Sequence, residues 1–201
     1  MAESSTKNAA SGARRARLRP GLRAALDAIT TAPALITHAR LDVVHANELG
    51  RAVFAPVLAA TPNLARFAFL DEDAAEFYPE WDLVADLVVH QLRQAASRDA
   101  HDRALHRLVG ELSTRSLPFR DLWSSPRAHD CGPPRYLIRH PEAGELELMR
   151  ESFAPLTAGP DLVVTVFAPD PGLATDERLR ILASWHHGVA SAEPAAPPSA
   201  Q

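Results

Sequence analysis

The chain has 201 residues, 46% apolar and 23% charged, a single cysteine and a net charge of −4; this balance suits one globular domain and excludes fibrous and low-complexity classes. No apolar run approaches the ~18 residues of a membrane span, and the N-terminus lacks the apolar centre of a secretory signal, so we expect a cytoplasmic protein that does not engage a membrane. One cysteine, Cys131, excludes an internal disulfide and a cysteine-based zinc site. Charge is uneven: residues 1–23 hold six basic side chains against Glu3, a local +5 that leaves −9 for the rest. An acidic body is a poor nucleic-acid surface, so direct DNA binding by this chain is not expected, although a short arginine-rich arm adds non-specific attraction to phosphate.

Residues 1–19, rich in Ala, Ser and Arg without apolar periodicity, read as a disordered basic arm. Leu22, Ala25, Leu26 and Ile29 then fall at i, i+3, i+4 and i+7, which predicts a short amphipathic helix. Residues 34–37 and 41–46 are apolar stretches separated by His38, Ala39 and Arg40, a hairpin pattern. Asn47 follows directly and is suited to cap a helix, since its side chain accepts from an otherwise unpaired amide of the first turn. From there to about residue 125 the pattern is helical, with one stripe over Trp81, Val84, Ala85, Val88, Leu92 and Ala95 and another over Leu105, Leu108, Val109 and Leu112. The period then changes. Residues 136–140 and 145–153 read as strands around the turn-forming cluster 141–144, and the alternation of Leu146 and Leu148 with Glu145 and Glu147 gives the second strand one wet face. Residues 161–167 are apolar on both faces apart from Thr165, as in a central strand, and residues 173–187 form a terminal helix bearing Leu179, Leu182 and Trp185. Residues 188–201 read as a disordered Ala/Pro/Ser tail. The domain proper is therefore expected at residues 20–187. Its class is α+β: a five-stranded antiparallel PAS-like sheet with a large helical insert between strands two and three, and a small-molecule pocket between sheet and helices.

Nine histidines raise the question of metal or hydrolytic chemistry. His101 and His106 do not share a helix face, His186 and His187 are adjacent, and neither HExxH nor CxxC occurs, so no metal ion or cofactor is expected. His129 and Asp130 suggest a phosphohydrolase dyad without the further ligands that chemistry needs. There is no Gly-x-Ser-x-Gly elbow or glycine-rich phosphate loop, and Asp130 disfavours a thiolate at Cys131. An enzyme is not expected.

Two segments are the most informative: residues 63–81, NLARFAFLDEDAAEFYPEW, and residues 139–148, RHPEAGELEL. With Arg19, Pro20, Gly21 and Leu22 at the entry, Leu41, Asp42, Val43 and Asn47 in the hairpin, and Val109, Gly110, Glu111, Leu112, Phe119, Leu122 and Trp123 later, they resemble the MmyB-like ligand-binding domain. The resemblance runs over about residues 18–183. That domain lies C-terminal to a helix-turn-helix in actinobacterial regulators of the XRE class. The resemblance implies a PAS-like fold whose pocket holds a fatty acid or similar lipophilic ligand, with DNA binding by the attached domain as output. Two departures are visible. The residues preceding the sensor are too few for a helix-turn-helix, so the chain is expected to lack its own DNA-binding module and to act through a homodimer or a separate DNA-binding partner. Pro126 stands where the family usually has a His three residues after the Trp matching Trp123, and the nearest His is His129.

Within that frame Phe67, Phe69, Phe77, Tyr78 and Trp81, with Val84 and Val88 on the following helix, are candidates for the wall of a ligand cavity, although the same residues suit a plain core. Arg139 and His140 are candidate anchors for a ligand carboxylate, against a surface ion pair or a capped turn, and Arg66 is a further candidate. The expected function is a fatty-acid-like or otherwise lipophilic small-molecule sensor in transcription regulation. Two alternatives stand beside it: a small enzyme using the same pocket through His140 or His129, and an interaction protein acting through the arginine arm.

Overall fold

The computed structural model describes residues 18–59, 62–125, 135–155 and 161–190, with side chains through residue 185. The expected basic arm, apart from residues 18 and 19, lies outside the described residues, as do Pro126, His129, Asp130, Cys131 and most of the expected tail. Helix α1 (Pro20–Asp27) leads into strands β1 (Ala34–His38) and β2 (Val43–Ala46). A helical insert follows: α2 (Glu48–Val53), α3 (Ala55–Ala59), α4 (Leu64–Leu70), α5 (Ala74–Phe77), α6 (Trp81–Arg98), α7 (Arg103–Arg115) and α8 (Leu117–Ser124). Strands β3 (Arg135–His140), β4 (Gly144–Phe153) and β5 (Leu162–Pro169) complete an antiparallel sheet in the order β2-β1-β5-β4-β3, and α9 (Ala174–Ala190) closes the described chain. This is the α+β, five-stranded PAS-like arrangement that the sequence pattern predicts.

Each face of the sheet is covered, and the two coverings differ in size. On one face Leu35, Leu146, Leu148 and Phe167 join the buried side chains of the insert in the main core. On the other, Ala34, Ile36, Leu162 and Val164 pack with Leu26 of α1 in a smaller cluster. β5 lies between β1 and β4, which explains its lack of polar alternation: both faces are buried.

Two asparagines fix the insert to the sheet. Asn47 is fully buried; its Oδ1 accepts from Ala34 N (2.9 Å) and Gly50 N (2.7 Å), while its Nδ2 donates to the carbonyls of Ile29 (2.6 Å) and Ala32 (2.8 Å). Asn63 repeats the device, capping α4 through Ala65 N and Arg66 N and donating to Arg40 O and Asp42 Oδ1. The first hairpin is shorter than the sequence pattern predicts. Leu41 takes a left-handed φ of 70° and donates its amide to His38 O, so the second strand begins at Val43 and Asp42 bridges instead to Asn63. The terminal helix, in turn, runs to Ala190, past the expected domain edge at residue 187.

Candidate functional site

Between the inner sheet face and α6 lies a cavity of about 280 Å³. Its position follows from three local patterns. Strand alternation turns Leu35 and Thr37 of β1, Val163, Thr165 and Phe167 of β5, and Arg150 and Ser152 of β4 toward the helices. On α6 the apolar stripe of Val84, Leu87 and Val88 gives way along the same wall to His90, Gln91, Gln94 and Arg98. That change runs along ~21 Å of helix at ~1.5 Å per residue. Leu41 and Leu64 close a third side, where Leu64 N donates to Leu41 O (3.0 Å).

The polar groups of the wall are distinctive. Arg150 Nη1 donates to Ser152 Oγ (2.9 Å), and that oxygen lies 2.9 Å from Thr165 Oγ1. No ion pair among the described residues involves Arg150, whose Nε is shut off from solvent without a hydrogen-bond partner. Tyr78 and Tyr136 also line the cavity with their rings 5.7 Å apart. Burial pushes the Tyr136 phenol up to about 12, and burial with the neighbouring Tyr136 raises Tyr78 well above the ordinary phenol value. Both therefore keep their protons at neutral pH. Burial, and then the Arg40 charge, hold His38 below the ordinary imidazole value, so its ring is neutral there as well.

The residues expected from sequence divide into groups. Tyr78, Val84 and Val88 line the cavity. Phe67, Phe69, Phe77 and Trp81 are not in its wall. Phe67 packs edge-on against Phe77 (5.4 Å) and Tyr78 (5.8 Å), and Phe69 against Trp81 (5.7 Å) and Phe119 (5.0 Å), forming an aromatic core behind it. Trp81 Nε1 is engaged by Ala68 O at 2.7 Å.

The expected anchors stand apart from the cavity wall. Arg66 pairs with Glu111 (2.8 Å) beside a separate surface depression, and that guanidinium holds the Glu111 carboxyl below the usual carboxylate range. Arg139 is exposed and pairs across the hairpin with Glu145 (3.1 Å). His140 is buried as a pin: its Nδ1 accepts from the amides of Glu142 (3.2 Å) and Ala143 (3.0 Å), which leaves Nε2 to donate to Ala52 O (3.1 Å).

Sequence reasoning missed Arg150, Ser152, Thr37 and the β1–β2 turn as cavity residues. A signal for the first two was present. The alternation that buries Leu146 and Leu148 carries the same phase on to residues 150 and 152. Among the described residues no cluster of three or more His, Cys, Asp or Glu side chains could hold a metal ion, and no helix is long and apolar enough to cross a membrane.

A sheet cupped over helices around an apolar-walled cavity defines a small-molecule-binding domain of the PAS-like kind. A family model described as the MmyB-like transcription regulator ligand binding domain matches residues 18–182, and the chain belongs to that family. A comparison with curated proteins finds no match. The domain is thus the ligand-binding part of a transcription regulator family.

Proposed function

We propose that this domain senses a lipophilic, fatty-acid-like small molecule, held between α6 and the inner face of the sheet, in a cytoplasmic regulator. The observation that carries the reading is the cavity itself. At about 280 Å³ it falls just under the ~300–1,000 Å³ typical of small-molecule sites, so it suits a compact ligand or the apolar part of a longer one. Its walls of Leu35, Val84, Leu87, Val88 and Phe167 offer burial for that apolar part.

A regulatory role, as opposed to catalysis, is favoured by the bonding of the polar groups in the wall. Among the described residues Ser152 is hydrogen-bonded to Thr165 and Arg150, not to a general base. Occupancy has a mechanical route outward. The wall residue Leu41 sits in the turn whose Arg40 pairs with Asp102, the cap of α7 (3.4 Å), and whose Arg40 carbonyl accepts from Asn63, the cap of α4 (3.0 Å). A ligand that binds one placement of this turn better than another shifts the helices with it. A second copy or a DNA-binding partner would read that shift.

Filling the cavity tests the reading. Val88→Trp should abolish the rise in melting temperature that a mid-chain lipophilic acid gives the unaltered protein, with the far-UV circular dichroism retained. An undiminished rise in the variant would refute it.

A further inference from the structure

The cavity is more selective than its apolar walls suggest. Arg40, Arg66, Arg135 and Arg139 each pair with a carboxylate, whereas Arg150, partly buried in the cavity wall, faces none among the described residues and has an Nε with no hydrogen-bond partner. A desolvated guanidinium without a counter-charge is unfavourable, and an anionic group entering the cavity would relieve it through short, charge-assisted hydrogen bonds.

The adjoining hydroxyls ask for something more. Ser152 Oγ already accepts from Arg150 Nη1, and Ser152 and Thr165 share one hydrogen bond of 2.9 Å. Whichever of the two donates in that pair, the other's hydroxyl hydrogen has no acceptor among the described hydrogen bonds. A plain fatty acid supplies a carboxylate for Arg150 and nothing for that remaining donor. The guanidinium and the hydroxyl pair are adjacent, with Ser152 Oγ 2.9 Å from Nη1. A second ligand oxygen must therefore lie about one hydrogen-bond length, ~2.8 Å, from the first. An oxygen on the carbon β to a carboxylate meets that spacing.

We propose that the cavity is built for a lipophilic acid bearing a β-oxygen, a 3-hydroxy or 3-oxo acid, with its carboxylate on Arg150 and its β-oxygen on the Ser152–Thr165 pair. The proposal rests on the reading of this cavity as the ligand site. The apolar chain then runs along Val84, Leu87 and Val88.

The test compares three probes of equal chain length on the full chain by titration calorimetry: 1-decanol, decanoate and 3-hydroxydecanoate. Decanoate should bind at least about tenfold more tightly than decanol, as a charge-assisted contact implies, and 3-hydroxydecanoate about fivefold more tightly again, as one added neutral hydrogen bond implies. Arg150→Met should bring decanoate level with decanol while leaving decanol unchanged. Thr165→Val should remove only the preference for the hydroxy acid. Equal affinities of decanoate and 3-hydroxydecanoate for the unaltered protein would overturn the proposal while leaving the cavity as ligand site. Failure of all three probes to bind would overturn both. The ranking in the unaltered protein decides the matter even if a variant does not fold.

Discussion

Asn47 shows how one side chain can decide local structure, because its amide group satisfies two donors and two acceptors of the backbone where α1, β1 and α2 converge. Asn47→Ala leaves those buried groups without partners, at ~1–3 kcal/mol for each one left unsatisfied. We expect a loss of about 3 kcal/mol or more, seen as a lower urea midpoint at unchanged slope. His38 makes a different prediction, in pH. Its folded-state value lies below the ordinary 6.5, chiefly through burial, so as pH falls the unfolded chain takes up the proton first. The stability that depends on a neutral His38 is complete above about pH 6.5 and declines as pH falls toward the folded-state value. His38→Gln should flatten that part of the stability profile relative to the unaltered protein, as measured by denaturation between pH 7.5 and pH 5. At this scale the sequence was legible where a residue's neighbours along the chain reveal its job. The Asn47 cap is such a case. Arg139 and His140 were not: adjacent residues on one strand point to opposite sides, so one meets Glu145 in solvent and the other is pinned against α2.

Among the elements, α2 depends on a close approach to β1 that only glycine permits. A Cβ at Gly50 would fall 2.5 Å from Ala34 O and 2.8 Å from Asn47 Oδ1. Gly to Ala inside a helix ordinarily favours the helix by ~1 kcal/mol. Here Gly50→Ala should instead lower the melting temperature, because the clash is with backbone and with the Asn47 amide. Gly110 on α7, with nothing within 4 Å of its notional Cβ, is the internal control: Gly110→Ala should be neutral or stabilising. Periodicity recovered the five strands and the helical stretch because burial patterns repeat at 2.0 and 3.6 residues. It did not recover the end of the first hairpin. Leu41 adopts a conformation that its residue type disfavours, held there by burial and by the hydrogen bonds on either side of it.

In the whole molecule, the aromatic segment 63–81 supplies most of the core of the insert, and the cavity is assembled mainly from other parts: β1 and its turn, β4, β5 and α6. Those parts are distant in sequence and meet only because β5 inserts between β1 and β4, so their shared cavity could not be read from local pattern. The family could, because its short motifs occur in order along the chain. The central claim is that the ligand lies between α6 and the inner sheet face. Photo-crosslinking with a diazirine placed along the chain of a lipophilic acid, followed by peptide mapping, tests it most directly. The label should fall on α6 between Val84 and Arg98 and on β4 between Arg150 and Phe153, and unlabelled acid should compete it away. Label confined to the Arg66–Glu111 depression or to the Arg139 hairpin would contradict it.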